Sequence, residues 1–238
     1  MKVVILAGGF GTRISEESHL AHGINEFVIC AGYKQHVIKE WFADYYLHNS
    51  DITFDFSKNG EMIVHNNVAE PWKVTIIDTG LNTMTGGRVK RIEKYVENEP
   101  FMLTYGDGVA DIDINELVKF HKNHGKLATL TAVHVGQRFG VLDIDRNNFS
   151  ITAFREKSAS DGSRINAGYM VLQPEVFSLI EGDQTIFERE PLRKLSEMGE
   201  LKAYKHNGFW QCMDTKREME ELDKMIESKT APWMLWEK

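Results

Sequence analysis

Five short apolar runs constrain this chain more than any other feature: VVILA (3–7), FVICA (27–31), VTIID (74–78), FMLTY (101–105) and LATLTAV (127–133). Each is short for a buried helix, and none shows the strict polar alternation of a sheet open to water on one face. Such runs predict strands covered on both faces, as in a parallel sheet. Helical patterns fall between several of them. In HVIKEWFADYYLH, Val37, Trp41, Phe42 and Tyr45 share one face; in RVKRIEKYV, Val89, Ile92 and Val96 do the same. In DINELVKFHKNHG, Asp113 and Glu116 have capping-box spacing and Gly125 is a stop. Alternating strands and helices specify an α/β fold, a mainly parallel sheet with helices on both faces.

Two regions read differently. ITFDFSKNGEMIVH (52–65) places two short strands around KNG, a hairpin. After about residue 135, FGVLDID, ITAFREK and AGYMVLQ are short strands without long helices between them. Helices follow near 174–181 and 185–198, then the strands LKAYKH and FWQCMD, then a last helix near 215–228. No Pro/Gly/Ser linker interrupts the chain, so residues 1–238 read as one domain with a smaller β-rich later region.

The 238 residues carry a net charge of −7, which excludes a global basic footprint for nucleic acid or anionic membrane. Any polyanionic ligand must be held by local donors or by a metal. The only cysteines are Cys30 and Cys212, and neither belongs to a CxxC pair, so a reducing compartment fits better than a zinc site or a disulfide framework. VVILA is too short for a signal-peptide core, and no run approaches the roughly 20 apolar residues of a membrane span. A cytoplasmic protein is expected. His121 and His124 fall on one helical turn, but the polar HKNH context points them to solvent.

Five segments carry chemistry. In GGFGTR (8–13), glycines directly after a strand let backbone N–H groups approach phosphate oxygens. The segment matches neither GxxxxGK[ST] nor GxGxxG, and alone it also fits an ordinary strand-to-helix turn. In YGDGVAD (105–111), Asp107 follows an apolar strand and has a glycine on each side, which leaves room for a hydrated cation; a turn aspartate looks the same. In GFWQCMDT (208–215), Asp214 also follows a strand, where it could equally cap the next helix. Two strand-end carboxylates beside a phosphate cradle suit Mg²⁺. Glu156, Lys157 and Asn166 in FREKSASDGSRINAGY suit sugar hydroxyls and a sugar phosphate, although Glu-Lys alone is usually a surface pair. TMTGGRVKR (83–91) opens a basic helix, either an anion or base-edge site or a solvated face.

Taken together and in order, GGFGTR, EPWKVTIIDTG, TMTGGRVKR, YGDGVADIDI, EKS…INAGY and GFWQCMDT resemble the sugar-nucleotide pyrophosphorylase superfamily, and within it the glucose-1-phosphate cytidylyltransferases. The resemblance spans essentially the whole chain. It implies a Rossmann-like sheet, with residues 1–135 on the nucleotide side and 136–238 on the sugar side. It implies Mg²⁺-dependent formation of CDP-glucose and pyrophosphate from CTP and α-D-glucose 1-phosphate. By position, Leu6, Ala7, Gly8, Gly9, Phe10, Gly11, Thr12 and Arg13 would wrap the triphosphate. Thr83 and Arg88 would lie near the base and Gly106 near the nucleoside. Asp107 and Asp214 would bind Mg²⁺, Lys157 would hold the sugar phosphate, and Glu156 and Asn166 would contact the sugar. Arg13, Lys157 and Asp107 would carry the catalysis. A bacterial homo-oligomer, a hexamer, is implied as well, feeding the dideoxyhexoses of surface polysaccharide (O-antigen and lipopolysaccharide biosynthesis).

One departure from the family is large. The superfamily carries a PKP-type segment after GTR, whose lysine meets the phosphates, and then a helix. Here SEESHL runs straight into AHGINEF, so roughly twenty residues, enough for a turn and a crossover helix, are missing between Leu20 and Ala21. Removing such a helix is expected to bare one face of the sheet. Smaller departures are EKS for the family's EKP and Ala167 in INAGY. If the missing segment is a true deletion, the alternative is an inactive nucleotide-sugar-binding homologue. A dinucleotide-dependent oxidoreductase would want GxGxxG, which is absent.

Overall fold

The structure, a computed structural model, describes residues 1–8, 23–134, 141–144, 151–155 and 164–234. Seven strands form one sheet: β1 (Val3–Ala7), β2 (Glu26–Ala31), β5 (Lys73–Asp78), β6 (Phe101–Tyr105), β8 (Ala128–His134), β11 (Arg164–Leu172) and β12 (Leu201–His206). Their order is β12-β8-β11-β6-β1-β2-β5. β1 pairs in parallel with β2 and β6, β2 with β5, and β8 with β12; β11 runs antiparallel to both β6 and β8. The later region therefore extends the first sheet. Three two-stranded ribbons complete the strands: β3 (Ser50–Asp55) with β4 (Glu61–Asn67), β7 (Gly108–Ala110) with β13 (Trp210–Cys212), and β9 (Val141–Ile144) with β10 (Ile151–Arg155).

Strand alternation sorts the core into two layers. Val3, Ile5 and Ala7 of β1 join Phe27, Ile29 and Ala31 of β2 on one face, covered by α1 (Gln35–His48) through Ile38 and by α3 (Ile114–His124) through Ile114 and Leu117. Val4, Leu6, Val28 and Cys30 point the other way. There they meet Val89, Ile92 and Val96 from α2 (Thr85–Arg91) and the turn after it, together with Phe177 and Phe187. Phe27, Phe101, Phe177 and Phe187 are fully buried, each contributing about 2–3 kcal/mol.

Residues 3–7 of β1 and 27–31 of β2 are buried on both faces. At the start of β2 and β5, Lys2, Val28, Thr75, Lys94 and Tyr95 line a depression. The expected break between Leu20 and Ala21 lies outside the described residues.

Several local expectations are corrected. On α1 the inward side chain is Ile38, with Phe42 partly buried beside it. Val37 and Trp41 are each 51% exposed, and Trp41 packs at a tilt against Tyr45, which stacks on Trp72. VTIID forms the sheet's edge strand, so it is only partly buried. The helix expected near 174–181 is a 3₁₀ turn, Pro174–Leu179. The next helix shrinks to α4 (Glu190–Glu197), because Pro191 is tolerated only in a first turn. His121 is not solvated: α3 turns it onto β8 and β11, where Nδ1 lies 2.8 Å from Thr129 Oγ1 and Nε2 2.9 Å from the Gln173 amide. Asp113 caps α3 through the Glu116 N–H at 3.1 Å, and Gly125 ends it at φ 63°.

Candidate active site at the strand ends

Chain order reverses beside β1. The chain runs outward from β1 to β2 and β5, then returns to place β6 on the other side. Such a switch point leaves a crevice beyond the carboxyl ends of the two strands, where ligands bind in open α/β sheets. At its edge stand Gly8, after β1, and Gly106 and Asp107, after β6. The Gly106 N–H donates to Leu6 O at 3.2 Å and holds the two strand ends together.

Asp107 and Asp214 meet here. β7 and β13 pair antiparallel with Gly108 opposite Cys212, and Met213 N donates to Asp107 O at 2.7 Å. Burial raises the Asp107 pKa above its usual range, and the charge of Asp214 raises it further. Two neighbouring carboxylates could offer oxygen donors to a hard divalent cation, whose charge would offset their repulsion. Asp214 also lies near Cys212 and Glu218, with ligating atoms within 4.8 Å. Those two have other work. Glu218 Oε2 accepts from the N–H groups of Asp214 and Thr215 and from Thr215 Oγ1, completing the capping box of α5 (Lys216–Glu227). The cap of this helix is therefore Thr215, not Asp214. The Cys212 thiol donates to Asp214 at 3.4 Å and, pushed up to about 11 chiefly by burial, stays protonated and a poor ligand.

Arg88 lies beneath Gly8. Its guanidinium donates to Thr79 Oγ1 at 2.7 Å, Gly80 O at 2.9 Å, Leu81 O at 3.3 Å and Ala31 O at 3.4 Å. A Cβ on Gly8 would fall 2.2 Å from its Cζ. Arg88 thus ties the ends of β2 and β5 under the end of β1. Thr83 is buried in the adjoining turn. The α2 N-terminus, read from sequence as an anion or base-edge site, has other partners: Gly86 and Gly87 N–H both point to Thr185 O, and Met84 N–H to Asp183 O. Arg91 adds a paired contact to Asp183.

Asn166 reaches the same region from β11. Its Oδ1 accepts from Gly168 N at 2.8 Å. Tyr105 donates to Glu188 Oε1, and Thr85 Oγ1 donates to Glu188 Oε2 at 2.5 Å. Thr85, Tyr105 and Glu188 escaped sequence reading: Tyr105 looked like the end of a strand, and Glu188 lies in a loop without a motif. Leu6, Ala7, Gly8, Gly106, Asp107, Asp214, Thr83, Arg88 and Asn166 are described. Gly9, Phe10, Gly11, Thr12, Arg13, Glu156 and Lys157 lie outside the described residues.

A glycine-edged switch-point crevice with Asp107 and Asp214 at one end of the β7–β13 ribbon suits a nucleotide-handling α/β enzyme, and the comparisons show the family. Residues 2–215 match the family model described as "Nucleotidyl transferase", and the chain belongs to that family. It is 49% identical to "Glucose-1-phosphate cytidylyltransferase" of Salmonella typhi, with both chains fully covered. It is 38% identical to "Probable glucose-1-phosphate cytidylyltransferase" of Bacillus subtilis, covering 99% of this chain and all of the relative. The Salmonella alignment runs over 260 positions against 238 residues here, leaving 22 positions without a residue of this chain. The crystal structure of HddC from Yersinia pseudotuberculosis shares the fold, with a TM-score of 0.65 at 21% identity, covering 94% of this chain and 99% of that one. Among the described residues, no helix is long and apolar enough to cross a membrane.

Proposed function

We propose that this nucleotidyltransferase moves a cytidylyl group from CTP to α-D-glucose 1-phosphate. A phosphate oxygen of the sugar attacks the α-phosphorus in line, the bond to the β-phosphate oxygen breaks, and pyrophosphate leaves with the electron pair. The observation that carries the reading is the pair Asp107 and Asp214 at the switch point of a chain 49% identical, end to end, to a protein of that name. Asp107 and Asp214 would hold Mg²⁺, which when bound neutralises phosphate charge. The strand-end backbone at Leu6, Ala7 and Gly8, on its Arg88 support, begins the loop that extends through Gly9, Phe10, Gly11, Thr12 and Arg13 around the triphosphate. Thr83 and Gly106 border the base and nucleoside. Asn166 and Glu156 take the sugar and Lys157 its phosphate. Catalysis is positioning and charge compensation, and no enzyme nucleophile is required.

The test is pyrophosphate release with each of CTP, UTP, dTTP and GTP, with glucose 1-phosphate as acceptor. CTP-dependent release with CDP-glucose as co-product is expected. Release with another nucleotide at equal efficiency, or none with CTP, overturns the reading.

The 22 unmatched alignment positions favour a second reading, a chain that binds nucleotide sugars without turning them over because the segment after Leu20 is absent. Binding of CDP-glucose with no pyrophosphate release, in a protein whose intact mass is 27.3 kDa, would establish it. A larger mass would restore the segment and the first reading. A bacterial, cytoplasmic homo-oligomer, a hexamer by resemblance, completes the proposal. It is supported by free cysteines at positions 30 and 212 and by the exposed aromatics Trp41, Phe54 and Phe56.

A further inference from the structure

We infer that Tyr169 and Trp210 are positioning residues that dock the ribbon of Asp107 and Asp214 onto β11, and so fix where a bound metal stands relative to Asn166. The inference rests on the reading of the two aspartates as the metal pair.

Both aspartates lie at the same end of the β7–β13 ribbon. Asp107 directly precedes β7, and Asp214 follows β13 by two residues. Bonds within the ribbon set one aspartate against the other: Gly108 pairs with Cys212, and Met213 N donates to Asp107 O at 2.7 Å. These bonds do not relate the pair to the main sheet. A two-stranded ribbon is marginally stable alone, so its place depends on what holds it to the rest of the fold.

Two side-chain bonds do so, one from each strand. The Tyr169 hydroxyl donates to Gly108 O at 2.9 Å, beside Asp107. The Trp210 indole Nε1 donates to Ala167 O at 2.8 Å from the other end of the ribbon, where Trp210 pairs with Ala110. The two bonds meet β11 on either side of Gly168. There β11 interrupts its pairing with β8 between Asn166 and Met170, and the interrupted ladder leaves Ala167 O to accept from the indole. Ala167 and Tyr169 are both buried, so losing either donor leaves a carbonyl poorly placed to find water. Two attachments at separate points also stop the ribbon from pivoting about one of them. Asn166 belongs to the same stretch of β11, with its Oδ1 on Gly168 N at 2.8 Å. The metal pair and the sugar contact therefore share one frame.

Tyr169→Phe keeps the buried ring and removes only the donor to Gly108 O. Trp210→Phe keeps an aromatic ring in the ribbon and removes the donor to Ala167 O.

The experiment measures Mn²⁺ binding to the full-length protein by electron paramagnetic resonance, with CTP present and no sugar phosphate, so that nothing turns over. Mn²⁺ takes the same oxygen ligands as Mg²⁺. The proteins are wild type, Tyr169→Phe, Trp210→Phe and Asp107→Asn, and calorimetry measures CTP binding to each in EDTA. Tyr169→Phe and Trp210→Phe should each weaken Mn²⁺ binding about tenfold and leave metal-free CTP binding within about twofold. Unchanged Mn²⁺ affinity in either ribbon variant overturns the inference. So does an equal loss of Mn²⁺ and metal-free CTP binding with a lowered melting temperature, which would make the two bonds merely structural. If Asp107→Asn binds Mn²⁺ normally, the metal-pair reading fails. If Asp107→Asn is weak while a ribbon variant is normal, that reading stands and this inference alone fails.

Discussion

Asp107 and Asp214 repel each other across the β7–β13 ribbon, and that repulsion, added to burial, holds the Asp107 carboxyl above its usual pKa. The sign has a consequence. Where a carboxyl pKa is raised on folding, the folded state keeps a proton that the unfolded chain has released, so stability falls as pH rises through that window. Asp107→Asn removes both penalties. It should leave the melting temperature unchanged or higher while lowering turnover about 100-fold or more. Mg²⁺ should raise the wild-type melting temperature, and that of Asp107→Asn little or not at all. Near-normal turnover in the variant would take Asp107 out of the metal site.

Arg88 supplies the second prediction. Its planar fork reaches four acceptors at the ends of β2 and β5, and a lysine ammonium cannot span them. Arg88→Lys should cost about 2 kcal/mol in urea unfolding, because buried carbonyls lose charged donors. It should also weaken CTP binding, since the Gly8 turn rests on this group. A variant as stable as wild type would show that the clamp is dispensable.

Much of this was legible in the residues, and the reason differs by element. The apolar runs gave the sheet because burial on both faces leaves nowhere for polar side chains, and β1, β2 and β6 are buried throughout or nearly so. Asp113 and Gly125 marked the ends of α3 because capping and left-handed stops are local chemistry. Arg88 was named for ligand contact, but sequence could not reveal that it serves the backbone or that Tyr105 donates to Glu188. Those partners are set by packing over long chain separations. His121 was misjudged for the same reason: its neighbours in sequence are polar, whereas its neighbours in space are Thr129 and Gln173.

His121 carries the third prediction. Burial, and then the nearby His124, lower its pKa to about 4 from an ordinary 6.5. His124 is lowered too, mainly by burial and then by the charge of Lys202. A histidine depressed on folding stabilises the protein fully above the unfolded value and loses that contribution as pH falls toward the folded one. Stability should therefore drop between pH 6.5 and 4 by on the order of 2–3 kcal/mol, or about 5–10 °C in melting temperature for a chain of this size. His121→Gln should flatten that slope. Melting curves that depend on pH equally in both proteins would assign the effect elsewhere.

Gly168 tests the geometry on which Asn166 depends. Its φ is 84°, in the left-handed region, and it sits at an irregularity of β11 between Asn166 and Met170. A Cβ there would stand 2.3 Å from Cδ2 of Tyr105. Two costs therefore combine in Gly168→Ala. The backbone conformation costs an L residue about 1 kcal/mol, and the ring must move or the bulge must flatten, at about 1–3 kcal/mol more. If the ring moves, Tyr105 can no longer reach Glu188. If the bulge flattens, the Gly168 N–H leaves Asn166 Oδ1. Either response predicts a loss of about 2–4 kcal/mol in denaturant unfolding, with weakened CDP-glucose binding. The neighbouring Ala167→Gly is a control. Ala167 meets Trp210 through its carbonyl, which accepts from the indole Nε1 at 2.8 Å, so losing its buried methyl should cost about 1 kcal/mol and leave the ligand in place. Equal effects at the two positions would mean that the Tyr105 ring does not depend on the missing side chain at Gly168.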